Sequence, residues 1–230
     1  MTAPVLVVGG TRGLGLEIVR RLVGQGCAVR VLARDPAAAR LGPGVEFAPG
    51  DLTRPDTLAA PARGARHIVL TAGVPSGRYA PASLVRATDF DGVLALLAAA
   101  RAQGFAGRFV YLNSQGVTRP SLAAGLINLL KRNTLTWRAR LEPEIRGSGF
   151  DYAIVRVPFL TDAPAGSAQV RVSQGALPLS PLRAIGRADA ADAFVAAMTH
   201  PRASRVTFEI TAARGPVPPL AEQLAALAPD

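Results

Sequence analysis

Three glycines, Gly9, Gly13 and Gly15, follow the apolar run Val5-Leu6-Val7-Val8, with Thr11 and Arg12 between them. Leu14 opens a stretch through Val23 that carries the apolar spacing of an amphipathic helix. Strand, glycine turn and helix in this order make a phosphate cradle. Glycine lets the backbone turn tightly and approach a pyrophosphate, and the helix start offers unpaired N–H groups with a partial positive charge. Arg12 lies inside the turn, and Arg34 ends the second apolar run, 19 residues past Gly15. An acid at about this point, ~20 residues beyond the turn, would serve ribose hydroxyls, whereas guanidinium forks match a 2′-phosphate. The two arginines therefore predict NADP(H) rather than NAD(H). Asp35 is the alternative ribose ligand, with Arg34 then facing solvent.

Two further stretches suit the same ligand. In Gly50-Asp51-Leu52 the carboxylate can reach an adenine amine while the next N–H reads the ring. Alternatively, Asp51 or Thr53 caps a helix beginning near Pro55. In Thr71-Ala72-Gly73 the small residues allow a ribose to lie against the backbone.

These residues need a scaffold, and the chain supplies an alternating one. Strands are predicted at Val5–Val8, Ala28–Leu32, Val45–Phe47, Ile68–Thr71, Phe109–Leu112 and Ala153–Val157. Helices are predicted at Leu14–Val23, Pro55–Ala62, Leu84–Gln103 and Leu122–Arg146. The alternation implies an α/β fold: one Rossmann-like, doubly wound parallel sheet with helices on both faces. Beyond Val157 the pattern loosens. Residues 158–186 show no clear period and are expected to form a small cap on the substrate side. A helix at Arg187–Thr199, a strand at Val206–Ile210 and a short helix at Leu220–Leu227 complete a single domain spanning residues 1–230.

Composition narrows the function classes. Hydrophobic residues make up 49% of the 230 and charged residues 18%, which describes a globular chain with one core. No apolar run reaches the ~18 residues of a membrane span, so no membrane partner is expected. The first strand is expected at Val5, so no leader is expected and a cytoplasmic setting is expected. Cys27 alone cannot form an internal disulfide, and with only His67 and His200 beside it no Cys/His zinc site is expected. The net charge of +10 comes from scattered arginines with a single lysine, Lys131, and not from a basic run. Nucleic acid is accordingly not the expected partner.

Taken in order, several stretches resemble the atypical short-chain dehydrogenases/reductases of the NmrA-like, NAD(P)-binding group. They are Gly9–Gly15, Arg34, Gly50-Asp51-Leu52, Asp89–Val93, Phe109–Ser114, Glu142 with Ser148–Arg156, and Arg187–Asp192. The resemblance implies that Ser114 and the loop after Arg156, including Pro158, line a nicotinamide pocket. It also exposes a departure. Main-line members use a Tyr-x-x-x-Lys pair for proton transfer, but the residues four beyond Tyr79, Tyr111 and Tyr152 are Ser83, Gln115 and Arg156. Counting back from Glu142 puts the lysine position at Arg138 and the tyrosine position at Thr134. Arg138 can donate to a ribose but not serve as a neutral shuttle. Where the group has Arg-Pro-Gly, this chain has Arg156-Val157-Pro158.

Two functions follow from the resemblance. One is an NADP(H)-dependent reductase of a small molecule, with Ser114 and Arg138 as its reactive residues. The other is a non-catalytic NADP(H) sensor that regulates a protein partner. A hydrolase centre on Ser114 and His67 is not expected, because His67 opens its strand at the opposite end from Ser114.

Overall fold

The computed structural model describes residues 3–34, 41–74 and 80–230. Its central strand, β1 (Val5–Val8), is buried at every residue, as a parallel strand covered on both faces must be. Alternate side chains enter different cores. Val5 and Val7 join Leu14, Ile18 and Leu22 of α1 (Gly13–Gly24) and Phe194 of α7 (Arg187–Thr199). Leu6 and Val8 join Leu96 and Ala100 of α4 (Gly92–Ala102) and Leu141 and Ile145 of α6 (Thr134–Gly147). The period of two along the strand thus sends one sequence into two helix layers.

The other strands are β2 (Val29–Ala33), β3 (Val45–Pro49), β4 (His67–Leu70), β5 (Arg108–Ser114), β6 (Asp151–Val157), β7 (Leu160–Thr161), β8 (Val170–Ser173), β9 (Ile185–Gly186) and β10 (Val206–Ala212). The remaining helices are α2 (Ala59–Ala62), α3 (Ala82–Arg86), α5 (Leu122–Leu130) and α8 (Leu220–Ala225). The main sheet runs β3-β2-β1-β4-β5-β6-β10-β8, parallel throughout except for β8, which pairs antiparallel with β10. Strand order reverses between β1 and β4, so the crevice that receives ligands in such sheets opens at their carboxyl ends.

Two expectations are corrected. The single helix expected at Leu122–Arg146 is two helices, α5 and α6, because Arg132 (φ +51°) and Asn133 (φ +65°) take the left-handed conformation between them. Residues 158–186 are more regular than expected: they contain β7, β8 and β9, and β8 forms one edge of the main sheet. The helix expected at Leu84–Gln103 runs from α3 to α4 through one wide turn, Ala87–Asp91. Gly92 ends that turn. A Cβ there would collide with the Leu52 carbonyl, so glycine lets the helix lie against the Asp51–Leu52 loop.

Candidate functional site

The glycine turn is built by close approach. Gly9 has φ +95°, and a Cβ on it would stand 2.6 Å from the backbone nitrogen of Ala72. A Cβ on Gly15 would strike the carbonyl of Gly9 and the Thr71 hydroxyl. Thr71 locks the arrangement: its N–H donates to the Val8 carbonyl at 2.9 Å, and its hydroxyl donates to Val8 and Gly9 carbonyls at 3.2 and 3.3 Å. The Ala72 N–H donates to the Val8 carbonyl at 3.0 Å. Side-chain-free backbone and the exposed start of α1 therefore meet at the strand-order switch. Thr11, Arg12 and Gly13 are exposed there, and Leu14 is buried beneath them. A turn of this kind offers the unpaired N–H groups and the close backbone approach that a pyrophosphate would need.

Gly13 differs from its neighbours. Its φ is +56°, and a Cβ on it would meet only the Arg187 side chain, at 3.6 Å. Arg187 pairs with Asp162, and these two line a cleft of about 240 Å³ with Gly13, Leu16 and Glu17. The sequence marks Arg187 as the start of a helix and of the family-like stretch Arg187–Asp192, but only the packing of α7 beside α1 brings it to the turn. Behind it, buried Asp189 accepts the N–H groups of Gly166 and Ala168 at 2.6 and 2.9 Å, fastening the loop before β8.

Arg34 is exposed just past β2, and Asp35 lies outside the described residues. Asp51 makes local bonds: its Oδ1 accepts from the N–H and hydroxyl of Thr53 at 2.8 and 2.9 Å. The Leu52 side chain is buried in the core.

At the other end of the crevice the central residue is Asp89, only 3% exposed. It accepts the Val74 N–H at 3.4 Å and the Thr134 hydroxyl, and pairs with Arg138 Nε at 3.9 Å. Arg138 also donates to the Leu112 carbonyl at 2.9 Å, and its guanidinium would lie 2.7 Å from a Cβ on Gly73. Thr134 and Arg138 are one helical turn apart, so both face the same carboxylate. Burial opposes the Arg138 charge, but nearby Tyr111 and Asp89 favour it and its pKa is raised. Lys131, at the end of α5, has its pKa lowered by burial and then by the Arg138 charge. Sequence reasoning gave no role to Asp89 or Lys131 because their significance depends on this tertiary meeting.

The helix carrying Arg138 is pinned from below. Glu142 accepts Arg156 Nε and Nη2 at 2.8 and 2.6 Å and Asn113 Nδ2 at 2.6 Å, tying α6 to β6 and β5. The Ser114 hydroxyl donates to the Gln115 carbonyl at 2.9 Å, and Pro158 is buried directly after β6. Neither described tyrosine is a plausible acid. Tyr111 is buried in the core and burial raises its pKa, while Tyr152 lies near the amino end of β6, donating to Asp230 at 3.2 Å. Tyr79 lies outside the described residues. His67 sits at the amino end of β4, accepting the Arg108 N–H at 3.1 Å, away from Ser114.

A parallel sheet of this order, with a glycine turn at its switch point, defines a dinucleotide-binding protein of the Rossmann type. The chain belongs to the NAD(P)H-binding family, whose model matches residues 9–201. It is 27% identical over 176 residues to the photosystem II assembly factor Ycf39 of Trieres chinensis, a match covering 76% of this chain and 49% of that protein. It is 40% identical over 92 residues to the NAD(P)H azoreductase of Xenophilus azovorans, covering 39% of this chain and 32% of that protein. The chain thus spans about half the length of the first relative and a third of the second. Among solved structures, the anaerobillin reductase ChuY of Escherichia coli O157:H7 superposes with a TM-score of 0.75 at 20% identity, over 94% of this chain and all of that one (100%). A short-chain dehydrogenase/reductase of Veillonella parvula in complex with NADP superposes with a TM-score of 0.69 at 12% identity, over 92% and 95%. These structural likenesses establish the fold.

Proposed function

We propose that the protein binds NADP(H) and reduces a small molecule whose proton comes from water. The cradle of Gly9 and Gly15, where a Cβ would collide with backbone, carries this reading. In it, Gly9, Thr11, Arg12, Gly13, Leu14 and Gly15 hold the pyrophosphate, with Arg187 beside them. Arg34 takes the 2′-phosphate, and the Asp51–Leu52 loop takes the adenine. Thr71, Ala72 and Gly73 lie along the nicotinamide ribose, and Ser114, Arg138 and Pro158 surround the ring. The bound nicotinamide supplies a hydride. Arg138 presents fixed positive charge to a ribose or to a developing oxyanion, and it holds no transferable proton at neutral pH. A carbonyl that needs a protein acid is therefore a poorer acceptor than a quinone, flavin or azo group. Of the segment 158–186, the part around Asp162, which pairs with Arg187 beside the turn, caps the site, while β8 belongs to the sheet edge; the setting is cytoplasmic.

A second reading is a non-catalytic NADP(H) sensor that signals to a protein partner. The local bonding of Ser114 to the Gln115 carbonyl favours it, since that hydroxyl is already engaged. Similarity to a protein named as an assembly factor also supports it. Titration with NADPH followed by an acceptor screen separates the two. Turnover with a quinone or azo dye sustains the reductase; tight NADPH binding without turnover sustains the sensor. Failure to bind either dinucleotide ends both.

A further inference from the structure

The outer face of α5 carries leucine where a solvated helix carries polar residues. Leu122 is 95% exposed, Leu126 56%, Leu129 75% and Leu130 43%. Their spacing places them on one side of the helix. The inner side holds the helix in place through Ala124, which packs with Leu135 and Leu179, and through Asn128, which bonds to Leu135 and Thr136. The leucines are therefore not needed for that packing. A fifth exposed leucine, Leu182 (77%), stands on the turn Pro181–Arg183, three residues beyond Leu179, whose carbonyl accepts the Ser121 hydroxyl at the start of α5.

The charge along the chain on either side of this face has one sign; toward the Arg140 end, the acid Asp91 is paired with Arg86, which shares the Trp137 ring with Arg140. From Ser114 to Leu141 there is no Asp or Glu. Arg119 before α5, Arg132 after it and Arg140 on α6 are all exposed. The chain as a whole carries +10. A second copy would bring the same arginines against these, and repulsion would oppose the contact. An anionic surface would be attracted by the rim while taking up the leucines.

We infer that α5 and the adjoining turn dock the protein in the plane of an anionic lipid bilayer. The leucines enter the boundary between headgroups and acyl chains, and Arg119, Arg132 and Arg140 meet the lipid phosphates. A helix of nine residues, about 13 Å long, lies in such an interface and does not cross it. Among the described residues no helix is long and apolar enough to cross a membrane, and peripheral docking is compatible with that.

Co-sedimentation tests this with the full chain and two kinds of vesicle. One is pure phosphatidylcholine, the other an equimolar mixture with phosphatidylglycerol. The protein is expected to sediment with the mixed vesicles, less at high salt and weakly with pure phosphatidylcholine. Leu126→Glu with Leu129→Glu should lower the binding by about tenfold or more while leaving the thermal midpoint and NADPH affinity unchanged. No sedimentation with mixed vesicles overturns the inference. So does binding that survives the double substitution, which would reflect overall basicity alone. Concentration-dependent dimerisation abolished by the same substitutions, without vesicle binding, would instead assign the face to a second copy.

Discussion

At the end of β2 the Arg34 guanidinium stands exposed, one residue past the strand and close to where an adenosine ribose would lie in a site of this kind. A 2′-phosphate there gains charge-assisted hydrogen bonds of about 1.5–3 kcal/mol, which a ribose hydroxyl cannot match. Arg34→Ala should weaken NADPH by roughly tenfold or more and leave NADH nearly unchanged, as read by calorimetric titration. Equal affinity of the unaltered protein for both dinucleotides would remove the assignment. Arg138 calls for a different experiment, because it is built into the interior. Its removal leaves Asp89 buried with less compensation, so Arg138→Ala should destabilise the fold by about 3 kcal/mol in denaturant titration. A variant of unchanged stability would mean that the ion pair carries little energy, and that any loss of cofactor affinity reflects contact alone. The sequence marked Arg138 by its position relative to Glu142. It could not show the carboxylate that holds it, because Asp89 comes from the turn between α3 and α4 and meets α6 only when the layers pack.

The turn between β1 and α1 makes two distinguishable predictions from two glycines of the same motif. Gly15 faces the Gly9 carbonyl with no room for a methyl group, so Gly15→Ala should push α1 off the strand and destabilise the protein by about 2–3 kcal/mol. Gly13 has open space toward Arg187 but a left-handed backbone. Gly13→Val should cost about 1–2 kcal/mol of strain, remain folded and lose both NADPH and NADH. Circular dichroism melts with dinucleotide titrations check both. A folded Gly13→Val protein that still binds would make that residue structural only. This element was legible from sequence because β-branched residues, glycines and an amphipathic stretch succeed one another within a short span. The break between α5 and α6 was not. Lys131-Arg132-Asn133 contains neither glycine nor proline, and only Asn133 is a residue type that readily accepts positive φ. Strand β8 escaped for another reason. It is a four-residue edge strand whose Val172 N–H and Val170 carbonyl bond to the side chain of Gln223, a support from α8 invisible in local pattern.

Across the whole molecule, the alternation of strand and helix was enough to reveal the doubly wound sheet. Buried parallel strands need continuous apolar runs, and their crossovers need amphipathic helices. What alternation does not reveal is how distant segments are tied together, and Asp230 is the clearest case. It accepts the Thr207 N–H and hydroxyl at 2.9 and 2.6 Å from β10, and Arg146 Nε at 3.0 Å from α6. Burial alone would raise its pKa, but the Thr207 and Arg146 hydrogen bonds outweigh burial and hold it below the usual 3.8. A carboxylate with a depressed folded pKa stabilises the fold above its unfolded value, and that contribution is lost as pH falls through the folded value. Asp230→Asn should therefore cost about 1–2 kcal/mol at neutral pH, because the Thr207, Arg146 and Tyr152 donors then meet a neutral amide. The difference from the unaltered protein should persist down to the usual aspartate value and shrink below it, as both side chains become uncharged. Urea unfolding of the two proteins across that range measures it. A difference that stays constant into acid would mean that Asp230 acts through shape and hydrogen-bond geometry, and not through its charge.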